Sequence, residues 1–167
     1  MITQEIYKDY FNKLISGDRA GCGKIVNNLL NNDVTIKDLY INLFQSSLYE
    51  VGCLWENNKI SVATEHLATS ITEYLISTAY PSIFSSEHNG KRAVVTCTPG
   101  EYHQIGARMV ADYFELNGWD SFFIGASAPD EDLLNFIEEK SPDVLAVSMS
   151  ISYNSDNLLT LLNTVNE

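Results

Sequence analysis

The sequence predicts an α + α/β protein: a four-helix bundle cap over residues 1–86 and a parallel-sheet α/β domain over residues 91–167. Three observations carry that prediction. Apolar residues recur at helical spacing through the first 86 positions. From Lys91 onward the periodicity alternates between strand and helix, the mark of successive β-α units in a parallel sheet with right-handed crossovers. Between the two regions, Ser85 to Gly90 turns polar and reads as a linker.

The first helix carries Ile6, Tyr10, Leu14 and Phe11 on one face and ends near Gly17. A second runs from about Asp18 to Asn32, with Ile25, Val26, Leu29 and Leu30 inward and Asn27, Asn28, Asn31 and Asn32 on the solvated side and the end. Thr35 with Asp38 forms a variant capping box for a third helix reaching about Leu54, with Leu39, Leu43, Phe44, Leu48 and Val51 inward. Glu56 to Lys59 is a polar turn. Ser61 then caps a fourth helix, with Ala63, Leu67, Ile71, Tyr74 and Leu75 inward and Pro81 near its end.

In the second region the strands are Arg92 to Cys97, Ser121 to Ile124 and Val144 to Met149. The helices are His103 to Asn117, Asp130 to Lys140 and a segment from Asn154. His88, in the linker, is most simply a solvated loop histidine.

Composition narrows the function classes. A formal charge of −12 argues against direct contact with phosphate backbones, so a nucleic-acid role would need a partner or another domain. No apolar run has the length of a membrane span, and Lys8 and Asp9 interrupt any secretory pattern, so a cytoplasmic location is the default. Cys22, Cys53 and Cys97 lack a Cys-x-x-Cys spacing and read as reduced core cysteines.

Thr98-Pro99-Gly100-Glu101-Tyr102-His103-Gln104-Ile105-Gly106 lies between the first strand and its helix, where open α/β sheets place ligands. A loop histidine can bind a metal when a carboxylate fixes its second nitrogen, and Glu101 can do this for His103. Gly106 removes a side chain where a flat ligand, or the loop itself, would come close. One imidazole is too little for a bare zinc site, which favours a metal that arrives with its own equatorial ligands.

A second stretch runs from Trp55 to His66. Trp55 ends the third helix, and Val62, Glu65 and His66 share a face on the first turns of the fourth. These residues could form a pocket lid. Equally, Trp55 could be core while Glu65 and His66 form a helix-start charge pair.

Glu101-x-His103-x-x-Gly106 in its strand-loop-helix setting resembles the Asp/Glu-x-His-x-x-Gly signature of cobalamin-binding domains, in which the histidine is the lower axial ligand of cobalt. Leu116, Gly118-Trp119-Asp120, Ile124-Gly125-Ala126 and Pro142-Asp143-Val144 with Ser148 are similar to the same family. Trp55, nine residues, then Glu65-His66, with Val62, resembles the helical cap of adenosylcobalamin-dependent photoreceptor regulators related to MerR.

The resemblance implies a Rossmann-like (flavodoxin-like) sheet and a cobalamin-binding sensory or regulatory module. Its metal ligand would be His103, oriented by Glu101. Gln104, Ile105 and Gly106 would contact the cofactor. Ser148 and Ser150 would contact the displaced tail or complete the Glu101-His103 hydrogen-bond chain. Trp55, Val62, Glu65 and His66 would cover the upper face.

Adenosylcobalamin is the implied form, with methylcobalamin as the second choice. A partner protein or output domain would receive the signal, and self-association is left open. Two departures stand out. Glu56 occupies the position where light sensors carry a cobalt-capturing histidine, and a carboxylate is the weaker ligand there. Three strands are legible where the resemblance implies five, and the Gly-Gly motif for the nucleotide tail has no counterpart before Glu167, so the domain reads as truncated.

The enzyme-class alternative is a corrinoid methyl carrier serving a methyltransferase, using the same Glu101 and His103. A flavodoxin-like domain without a corrin is the third reading.

Overall fold

The computed structural model describes residues 1–83 and 87–165, in two compact units: residues 1–82 and residues 83–167. The expected boundary residues Ser85 and Ser86 lie outside the described residues.

The first unit is helical. α1 (Gln4–Ser16) is capped by Thr3, whose hydroxyl accepts from the Ile6 N–H, and closes on Gly17 in the left-handed conformation. α2 (Arg19–Asn31) is capped by the Asp18 carboxylate on the Gly21 N–H. α3 spans 36–56 and opens on Thr35, whose hydroxyl accepts from Asp38 N–H. α4 (Val62–Ala79) opens on Ser61, which accepts from Thr64 N–H. Tyr10, Leu14, Val26, Leu43, Phe44 and Ile71 are among its fully buried side chains.

The expected inner face of α3 is kept by a change of winding, with only Leu48 half-buried, and that of α4 is met in part. Inside α3, Leu39–Gln45 winds as a π-helix before ordinary α winding resumes over Ser46–Glu56. An α residue turns about 100° and a π residue about 85°, so seven π residues lag by about 100°. Uniform α winding would set Leu39 and Val51 about 120° apart. The lag returns Val51, and with it Ser47, to the Leu39 face, and leaves Leu48 half-buried beside it. The buried Ser47 hydroxyl donates to Leu43 O at 2.6 Å.

In α4 the buried stripe is Ala68, Ile71, Thr72, Leu75, Ile76 and Ala79, while Ala63, Leu67 and Tyr74 are exposed. Ile71 and Leu75 belong to both the expected and the observed stripe, and Ala68, Thr72, Ile76 and Ala79 complete the observed one. Leu67 lies against Gly17, where an added Cβ would sit 2.8 Å from its Cδ2, and Tyr74 lies under the Arg19 guanidinium. Cys22 and Cys97 are buried, but Cys53 is exposed, contrary to the core reading.

The second unit is α/β: β1 (Arg92–Cys97), α5 (Ile105–Leu116), β2 (Asp120–Gly125), α6 (Asp130–Lys140), β3 (Val144–Ser148) and α7 (Ser155–Val165), with a 3₁₀ turn Ser152–Asn154 before α7. The strands form a parallel sheet in the order β2-β1-β3. β1 is central, so Ala93 to Cys97 is buried without a break. Val95 and Cys97 pack with Ala107 and Ala111 of α5 on one face. Val94 packs with Leu133 of α6 and Leu161 of α7 on the other. This is the three-layer α/β arrangement the alternating periodicity predicts.

The described part of the expected linker is not free. Asn89 N–H donates to Gly118 O at 2.7 Å, and Gly118 has φ +78°; a Cβ there would meet Glu87 O at 2.6 Å. His88 is paired with Asp120 and Glu115 rather than solvated alone. Among the described residues no helix is long and apolar enough to cross a membrane.

Candidate functional site

The strand order places a topological switch point between β1 and β3, where open α/β sheets bind ligands beyond the carboxyl ends of the strands. Two loops meet there, 98–104 after β1 and 149–154 after β3. Thr98 fastens one to the other: its N–H and hydroxyl both donate to Ser148 O, at 2.9 and 3.1 Å. Gly100, with φ +82°, turns the chain back so that Glu101 points inward.

Glu101 is 1% exposed. Its Oε1 accepts from His103 N–H at 3.0 Å and faces His103 Nδ1 at 2.5 Å. Its Oε2 accepts from Ser150 N–H at 2.9 Å, Ile151 N–H at 3.0 Å and the Asn154 amide at 3.3 Å. Burial pushes this carboxyl's pKa up, but the donors from His103, Ser150 and Ile151 outweigh it and hold it at about 2. The carboxylate is therefore ionised at neutral pH and only accepts hydrogen bonds.

That charge fixes the tautomer of the imidazole. Nδ1 must carry the proton it presents to Glu101, so in the neutral ring Nε2 holds the lone pair. The His103 side chain is 61% exposed and its backbone is held by the same carboxylate. α5 begins at Ile105 and not at the expected His103, which stays in the loop. Burial, then the Glu101 charge, push the neighbouring Cys97 thiol up, which keeps it protonated and makes it a poor ligand.

Gly106 lies in the first turn of α5 with ordinary helical φ, and a Cβ added to it would meet nothing within 4 Å. Glycine costs a helix about 1 kcal/mol relative to alanine. Nothing in the chain requires it there, which leaves the space for a bound group. Gln104 accepts from Ala126 N–H at 3.3 Å, joining this loop to the one after β2, and Ile105 is turned into the core. Ser150 reaches Glu101 through its backbone N–H, and Ser148 through its carbonyl meets Thr98; no hydroxyl of either contributes to the Glu101 network. Asn154 is the member sequence reasoning missed. It reads as a helix start, and only its burial beside Glu101 reveals it.

In the helical unit, Trp55 ends α3 and is 46% exposed, so it is not core. Glu56, beside it, is exposed. Glu65 and His66 pair through Oε2 and Nδ1 at 2.5 Å, and Glu65 Oε1 accepts from the Thr69 hydroxyl at 3.0 Å. Val62 is exposed one turn before His66.

Among the described residues no group of three or more His, Cys, Asp or Glu could hold a metal ion. One oriented Nε2 beside open space at Gly106 fits a metal already held in a flat ring, as a corrinoid is. Gly106→Leu is expected to leave denaturant stability unchanged or slightly raised, because no chain atom opposes the new side chain. It is expected to weaken corrinoid binding about tenfold or more, measured by spectral titration. Unchanged affinity would mean that no ligand approaches this turn.

Two family models match the chain, each described as a B12 binding domain, over residues 6–79 and residues 91–166. The HTH-type transcriptional repressor CarA of Myxococcus xanthus is 29% identical over 90 residues, 54% of this chain and 31% of the repressor. Monomethylamine corrinoid protein 1 of Methanosarcina mazei is 21% identical over 138 residues, 80% of this chain and 63% of that protein. The structure of the Methanosarcina barkeri monomethylamine corrinoid protein superposes with a TM-score of 0.84 at 18% identity, covering 98% of this chain and 78% of that one. The chain thus spans under two thirds of the length of both curated relatives.

Proposed function

The chain belongs to the B12-binding domain family, and from that premise we propose that it is a cobalamin-binding sensory module with His103 as the lower axial ligand. The observation that supports this reading best is the Glu101-His103 dyad at the switch point: a buried, ionised carboxylate that leaves one imidazole nitrogen oriented and free. When bound, a cobalamin supplies a cobalt centre whose upper bond can be changed by light or by ligand exchange.

The chain's own residues do the rest. His103 Nε2 offers its lone pair; Glu101 holds the ring in one tautomer and one orientation. Gly106 leaves room for the ring edge, and Gln104, Ile105, Ser148 and Ser150 shape the loops around it. Trp55, Val62, Glu65 and His66 are proposed to shield the upper side and to sense which ligand occupies it. A ligand can bias the protein only through its different affinity for two arrangements, so the signal is the change in upper ligand.

The test is to incubate the protein with adenosylcobalamin in darkness, desalt it, and record the spectrum before and after green light. A coloured, histidine-ligated complex that changes on illumination supports the sensor. Colourless protein after desalting overturns cobalamin binding by this chain. Trp55→Ala is expected to reduce the preference for adenosyl- over methylcobalamin about tenfold while keeping the histidine-ligated spectrum. An unchanged ratio would remove Trp55 from the upper side.

A second reading is a corrinoid methyl carrier for a partner methyltransferase. The longer sequence match to the corrinoid protein of M. mazei favours it. A light-insensitive adenosyl complex, together with rapid methyl transfer by the methylcobalamin complex, would select this reading over the sensor.

A further inference from the structure

We propose that residues 87–91, the passage from the helical unit into β1, form a proton-sensitive clasp on the α/β unit, with His88 as its closing group. The clasp lies at the amino ends of the strands, opposite the end that carries Glu101 and His103.

His88 faces carboxylates with both ring nitrogens. Nδ1 pairs with Asp120 Oδ1 at the start of β2, and Nε2 lies 3.6 Å from Glu115 Oε1 at the end of α5. A neutral imidazole has one N–H, so whichever tautomer it adopts, one nitrogen turns a lone pair toward a carboxylate. The imidazolium alone has a donor for each. The Glu115 carboxylate is held in place, its Oε2 accepting from Ser121 N–H at 3.2 Å, and the Asp120 backbone is held to the strap by its N–H donating to Lys91 O at 2.8 Å. The remaining charged groups of the strap are Glu87 and Lys91, and the Lys91 ammonium is engaged over the Trp119 ring at 5.2 Å.

Everything else in the strap is neutral hydrogen bonding. Asn89 N–H donates to Gly118 O, its side-chain amide to Asn117 O, and its Oδ1 accepts from Lys91 N–H. These bonds persist at any pH, so the ring's charge state decides how firmly the strap is held, not whether it forms. The His88 side chain is 50% exposed, which gives it direct exchange of protons with solvent. The sign follows from the geometry: two carboxylates face the ring, so they hold its cationic form more firmly than its neutral form, and the hold is greater at lower pH.

The test is amide hydrogen exchange in the full chain, corrected for intrinsic pH dependence, at about pH 5.5 and about pH 8. The Asn89 and Asp120 amides are expected to be protected about three- to tenfold more at the lower pH, a size suited to exposed ion pairs. His88→Gln and Glu115→Gln are each expected to flatten that difference. Equal protection at both pH values in the parent protein would overturn the proposal without need of a variant. A difference that survives in His88→Gln would also overturn it, because another group would then be responsible.

Discussion

His103→Ala is expected to weaken cobalamin binding about a hundredfold or more and to abolish the histidine-ligated spectrum. Loss of a partner that merely orients a metal ligand costs about ten- to a hundredfold in affinity, so loss of the ligand itself should cost at least as much. The larger effect should be on binding. The His103 side chain is largely exposed, but its ring faces the buried Glu101 carboxylate, so denaturant stability should fall only by about 1–3 kcal/mol. Spectral titration with hydroxo- and methylcobalamin checks both halves, and free imidazole added to the variant should restore part of the parent spectrum. A variant that binds and absorbs like the parent would remove His103 from the site.

Glu101→Ala is expected to have the largest effect on the fold. It strands the amide of Asn154 in a buried position and the N–H groups of Ser150 and Ile151 in partly buried ones. Each orphaned donor costs about 1–3 kcal/mol, so a loss of about 4 kcal/mol is expected, with cobalamin affinity falling as His103 loses its orientation.

The same carboxylate makes a pH prediction. Its pKa is lowered from an ordinary 4.5 to about 2 in the folded protein. A depressed acid contributes stability above its unfolded value and loses it as pH falls through the folded one, on the order of 3 kcal/mol between about pH 5 and pH 2. Urea midpoints across that range should fall more steeply for the parent than for Glu101→Gln. Parallel curves would mean that the carboxylate is not held as described.

The elements were legible because their signals are local. A five-residue run, Ala93 to Cys97, buried on both faces makes β1, the hydroxyls of Thr35 and Ser61 announce two helix starts, and Gly17 announces an end. The dyad was legible for the same reason, since Glu101 and His103 are two residues apart. What escaped depends on contacts distant in sequence. Asn154 meets Glu101 across 53 positions, and His88 meets Asp120 across 32. The inner face of α3 was legible apart from Leu48, and in α4 Ile71 and Leu75 were placed rightly while Ala63, Leu67 and Tyr74 were not, because the buried stripe lies about one residue round the helix from the expected one. Cys53 was assigned to the core from its apolar sequence neighbours, which do not say which side of the helix it occupies.

The wide winding of Leu39–Gln45 also bears on which lengths this region tolerates. Uniform α geometry with one residue fewer between Leu39 and Val51 would again leave the two within about 20° of each other. The stretch therefore behaves as a store for one surplus residue. A deletion falling inside it is absorbed by rewinding to α geometry, with Trp55 still aimed as before. The same change between Ser46 and Glu56 would swing Trp55 through about 100°. Natural length variation among descendants of this helix should accordingly concentrate ahead of Ser46.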